Sequence, residues 1–62
     1  MNANDLLKEK EAAEMLTLAP GTLAYWRRIN KPGSPPFVKM GGAIRYRRED
    51  IEAWIDNNTV RN

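Results

Sequence analysis

The side chains with chemistry to offer in this 62-residue chain are its cations. Arg27, Arg28, Lys31, Lys39, Arg45, Arg47 and Arg48 fall between residues 25 and 48, a segment with no Asp or Glu. Residues 1–24 set two cations against four carboxylates, and residues 49–62 set one against four, so the net charge of +2 hides a sharp segregation. Solvating surfaces usually intersperse both signs. Seven cations without a counter-charge therefore read as a footprint for a polyanion. Neutralising about five phosphates would make log affinity fall against log salt with a slope of about −4.5.

Other chemistries lack their reagents. The chain has no histidine and no cysteine, which removes the usual metal ligands and the commonest nucleophile and base pairs. It has neither a P-loop nor a G-x-G-x-x-G run. No catalysis, metal or cofactor is expected. The absence of cysteine fits a reducing compartment, and no apolar run approaches the ~20 residues needed to span a bilayer. With no signal-peptide profile at the start, the expectation is a soluble, cytoplasmic, nucleoid-associated protein without a membrane partner. Residues 1–62 read as one domain with an ordered core over about 6–57, and a thin core at that, because so short a chain buries only about 60% of its unfolded surface.

The elements that must hold the cations follow from periodicity. In "KEAAEML", Ala12, Met15 and Leu16 sit at i, i+3 and i+4 and predict a helix of about two turns. Pro20 then suits the first position of a second helix, "PGTLAYWRRIN", which puts Leu23, Trp26 and Asn30 on one side and Gly21, Ala24, Tyr25 and Arg28 on the other. "KPGSPPF" is too rich in Pro and Gly for regular structure. "FVKMGGAIRYR" reads as a hairpin, and separating apolar from charged side chains favours a three-residue loop, Gly41 to Ala43. That register pairs Met40 with Ile44, Lys39 with Arg45 and Val38 with Tyr46. It turns Val38, Met40, Ile44 and Tyr46 inward and leaves Lys39 and Arg45 as like charges across the strands, which are unstable unless an anion lies between. "REDIEAWIDNN" closes the chain as a helix with Ile51, Trp54 and Ile55 at helical spacing and acids in its first turn.

Helix, tight turn, helix, hairpin, helix is the order of an α+β winged helix-turn-helix domain, with two N-terminal helices, a β-hairpin wing and a C-terminal helix. "LLKEKEAAEMLTLAPGTLAYWRR" followed by "PPFVKMGGAIRYRREDIEAWI" resembles the small excisionases and AlpA-like regulators of bacteriophages and mobile elements, in the MerR-like group. The resemblance implies that the second helix enters the major groove of double-stranded DNA through Gly21, Thr22, Tyr25 and Arg28, while Ala43, Arg45 and Arg47 of the wing follow the backbone or a neighbouring minor groove. Arg27 and Lys39 join this set on charge and position. It further implies a protein that bends DNA in site-specific recombination, with an integrase as partner and cooperative self-association on DNA. Transcriptional regulation with the same binding mode is the alternative. From another class, the acidic ends at Glu9–Glu14 and Glu49–Asp56 would make a protein-interaction module.

Several residues carry a second reading. Tyr25 either contacts DNA or packs on the loop prolines, Arg27 either contacts DNA or covers Trp26 with its stem, and Thr22 either meets a phosphate or satisfies the helix start. Trp26, Trp54, Leu23 and Ile51 are read as core. The turn between the first two helices lacks the Gly and Ser cap common in such turns and has Thr17 and Ala19 instead, a missing cap worth about 1 kcal/mol.

Overall fold

A computed structural model describes residues 5–60. The elements in chain order are β1 (Leu6–Lys8), α1 (Glu9–Met15), α2 (Pro20–Arg28), β2 (Val38–Met40), β3 (Ala43–Arg47) and α3 (Arg48–Asn57). Three helices and a three-stranded antiparallel sheet of order β1-β3-β2 form an α+β winged helix-turn-helix. Leu7, Ala12, Ala13, Leu23, Tyr46 and Ile51 are buried, one or two residues from each element except β2. Met15, Leu16, Leu18, Trp26 and Ile44 pack around them.

The α1–α2 turn is a helix stop followed by a helix start. The Leu18 amide donates to the Ala13 carbonyl (2.9 Å) and the Thr17 amide to the Glu14 carbonyl (3.0 Å), the double closure of a Schellman motif. That motif needs a left-handed residue after the cap, and here it is Thr17, at φ +54°. For a β-branched residue this conformation is costly. α2 begins with Pro20 at its first turn and Ala19 at the N-cap, where no side chain caps the free amides. It ends in the same motif, with Lys31 N–H on Trp26 O (3.0 Å) and Asn30 N–H on Arg27 O (3.3 Å). There the left-handed residue is Asn30, at φ +50°, which tolerates it better. The Lys31 ammonium sits 5.8 Å from the Trp26 ring centroid and takes the place of the apolar contact such ends usually carry.

Two features depart from the sequence reading. β1 was not foreseen: three residues are too few to reveal a period of two. The wing register also differs. Val38 pairs with Arg45, Lys39 with Ile44 and Met40 with Ala43, so Gly41 and Gly42 alone make the turn, and Gly41 takes φ +60°, as the first residue of a II′ turn does. The Lys39–Arg45 pair is therefore not formed, and Val38 and Met40 do not share a face with Ile44 and Tyr46. Separation of faces was the wrong criterion for β2. It is an edge strand that contributes no buried residue, with Met40 exposed; the inward face of the sheet is supplied by Leu7, Ile44 and Tyr46. Mixing Val38 with Arg45 on the outer face therefore costs the core nothing.

The loop from 29 to 37 is held by its neighbours. The Trp54 indole N–H donates to Gly33 O (2.7 Å), Trp26 and Trp54 lie 6.2 Å apart with tilted rings, and Phe37 packs 6.3 Å from Tyr46. Leu23 and Ile51 are core as expected, whereas Trp26 and Trp54 are half-buried, Trp26 against the edge of the core and Trp54 bonded to the loop.

Candidate nucleic-acid interface

α2 turns Leu23 into the core and leaves Gly21, Tyr25 and Arg28 exposed at i, i+4 and i+7, one continuous outward stripe with half-exposed Thr22 beside it. Tyr25 is 54% exposed. Arg28 has no carboxylate at ion-pair distance among the described residues, while Arg47 lies 3.8 Å from Asp50.

Arg27 has a different situation. Its Nε and Nη2 donate to the two oxygens of Glu9 at 3.0 and 3.3 Å, and the Tyr46 hydroxyl donates to Glu9 Oε2 at 3.0 Å. The Arg27 and Glu9 side chains are only 27% and 20% exposed. A guanidinium fork closed on a carboxylate is a geometrically demanding and strong pair. The second reading of Arg27 was cover for Trp26; the partner is instead a carboxylate eighteen positions earlier. Glu9 was assigned to an acidic surface, and it is the hub of an internal brace between α1, α2 and β3.

The brace shifts its own titration. The Arg27 hydrogen bonds hold the Glu9 carboxyl below its ordinary value, helped by the Tyr46 hydroxyl and the charges of Arg27 and Arg28 and opposed by burial. Burial, then the bond to Glu9, pushes the Tyr46 phenol up. The Glu9 bonds likewise raise Arg27. At neutral pH all three therefore hold the protonation states that these hydrogen bonds need.

The sheet presents a second basic surface. β1 pairs with β3 through Leu6↔Arg47, Leu7↔Tyr46 and Lys8↔Arg45. Leu7 and Tyr46 point into the core, so strand alternation puts Lys8, Arg45 and Arg47 together on the outer face, with Ala43 near the tip. Arg45 folds its guanidinium back onto the Ile44 carbonyl at 2.8 Å. Lys39 projects from the opposite face of its edge strand and is exposed.

Among the described residues there is no cluster of metal-ligating side chains and no helix long and apolar enough to cross a membrane.

An arginine-bearing helix exposed after a tight turn, flanked by a basic hairpin, defines the class of helix-turn-helix modules. The family model described as "Helix-turn-helix domain" matches residues 6–59, and the chain belongs to that family. The family includes excisionase-like and AlpA-like proteins, is typically non-enzymatic, and points to DNA as the partner. No curated protein matches the sequence.

Proposed function

We propose that this protein is a sequence-preferring binder of double-stranded DNA that acts as an architectural factor, an excisionase or recombination directionality factor that bends its site and assists an integrase. One observation carries the DNA-binding part. α2 presents Gly21, Thr22, Tyr25 and Arg28 away from the core, and the wing presents Arg45 and Arg47 on one outer face, with none of these residues buried. In this reading α2 lies in the major groove, where an α-helix fits. Tyr25 and Arg28 meet base edges or phosphates, Thr22 and the α2 N-terminus approach the backbone, and Arg45, Arg47, Lys39 and the small Ala43 tip follow the neighbouring strand. The architectural role rests on the resemblance of "PPFVK" and "RYRREDIEAWI" to excisionases. It brings with it the integrase and neighbour-to-neighbour association on DNA, in cells a nucleoid-associated setting.

With Arg27 engaged by Glu9, the cations left in this interface are Arg28, Lys39, Arg45 and Arg47. Four neutralised phosphates correspond to a salt slope of about −3.6. The test is a duplex-DNA gel-shift titration of the native protein and of the doubly substituted Arg28→Ala, Arg45→Ala protein. Loss of shift in the variant, with native far-UV circular dichroism, is the expected result. A wild-type slope near zero, or equal affinity in both proteins, would refute DNA binding and favour a protein-interaction module. Circular-permutation gel shifts and an excision assay with the cognate integrase test the architectural role; unbent DNA and unaffected excision would refute it.

A further inference from the structure

The geometry of β1 points to a residue outside the stripe and the wing: we infer that Lys8 and Arg45 grip two neighbouring phosphates of the DNA backbone, one each. The inference rests on the DNA-binding reading and extends it to an element on which that reading does not draw. Lys8 and Arg45 are directly opposed across the β1–β3 ladder. Both lie on the outer face, because Leu7 and Tyr46, the adjoining pair, are 4% and 1% exposed on the inner one. Neither has a carboxylate at ion-pair distance among the described residues. The carboxylate nearest in sequence on one side, Glu9, is closed on Arg27 and Tyr46, and Glu11 is spent on the Lys8 backbone amide at 2.8 Å.

Directly opposed like charges destabilise a strand pair. Here no ion pair among the described residues joins either cation to a carboxylate, and the one bond made by the Arg45 guanidinium goes to a neutral carbonyl. Phosphodiester oxygens, one phosphate against the ammonium and its neighbour against the guanidinium, would relieve both, since each cation donates charge-assisted hydrogen bonds to its own phosphate. Lys8 then supplies the fifth neutralised phosphate and replaces Arg27 in the basic footprint.

Repulsion in the free protein and attraction in the complex make opposite demands on one side chain, so Lys8→Gln should move two measurements in opposite senses. The free variant should melt higher than wild type at low salt, by on the order of 1 to 8 °C. Its duplex affinity should be lower for all sequences alike, with the salt slope reduced from about −4.5 to about −3.6. Between 50 and 200 mM salt the wild-type advantage should therefore shrink by roughly 3.5-fold. Lys8→Arg should keep the wild-type slope, and Lys8→Met carries the same test should Gln disturb the start of α1.

Identical slopes for wild type and Lys8→Gln, with wild type still binding duplex, would overturn the inference and leave the DNA-binding reading standing. A wild-type slope near zero would remove that reading and the inference with it. If inorganic phosphate at matched ionic strength raises the melting temperature of wild type above that of Lys8→Gln while the duplex slopes are identical, the pair is a free-anion site and the backbone contact is overturned.

Discussion

Replacing Glu9 by Gln removes one charge from the brace without changing its shape. Glu9 accepts three hydrogen bonds, two from Arg27 at 3.0 and 3.3 Å and one from Tyr46 at 3.0 Å. A hydrogen bond to a charged group contributes about 1.5 to 3 kcal/mol where water is excluded, and partial exposure of both ionic side chains reduces that through solvent screening. Glutamine keeps one acceptor but turns its amide N–H₂ toward a donor. The expected loss is about 1 to 2 kcal/mol, a large part of the ~3 to 9 kcal/mol that a domain of this size has in total. At ~4 to 8 °C per kcal/mol, the melting temperature should fall by about 4 to 16 °C at pH 7.

The acid limb supplies an independent check. Folding lowers the pKa of Glu9, so on acidification the unfolded chain takes up that proton first, near the ordinary value of about 4.3. The stability Glu9 contributes is whole above about pH 5 and is lost as pH falls through its folded value. Melting followed by circular dichroism from pH 7 to pH 3 should show wild type and Glu9→Gln converging toward the acid end. A variant that melts with wild type at pH 7, or a gap between the two that persists unchanged at pH 3, would refute the brace as a source of stability.

Other outcomes follow from the same contacts. Tyr46 has its phenol pKa raised by folding, so its contribution is whole below about pH 10 and is lost as pH climbs further; Tyr46→Phe should flatten the alkaline decline of the melting temperature. Thr17 occupies a left-handed conformation at φ +54°, so Thr17→Gly should stabilise by about 0.5 to 1 kcal/mol after the entropy of the added glycine is counted, and a lower melting temperature would contradict the strain. Ala19→Ser provides the cap that α2 lacks and should add about 1 kcal/mol, read as a shift in the urea midpoint at constant m-value. Gly41→Val places a β-branched residue at φ +60° and should destabilise the wing by about 1 kcal/mol or more, weakening DNA binding through the hairpin rather than through α2.

What the sequence determined is what repeats locally. The facing of α2 could be read from the positions of Leu23, Tyr25 and Arg28 because a helix fixes its faces within two turns. The missing glycine and missing cap at Thr17 and Ala19 were visible for the same reason, and the segregation of charge needs no structure at all. The tertiary structure decided the pairings between distant residues. β1 exists because β3 offers it an edge, not because "LLK" carries a pattern of its own. Gly41 and Gly42 allow either loop length, and only the supply of inward side chains from Leu7, Ile44 and Tyr46 makes Val38 and Met40 dispensable to the core and fixes the register that parts Lys39 from Arg45. Glu9 and Arg27 are eighteen positions apart, and Glu9 and Tyr46 thirty-seven. A carboxylate followed by lysine and glutamate looks like solvated surface until packing brings a guanidinium and a phenol against it, because a charge finds its partner through space and not through spacing.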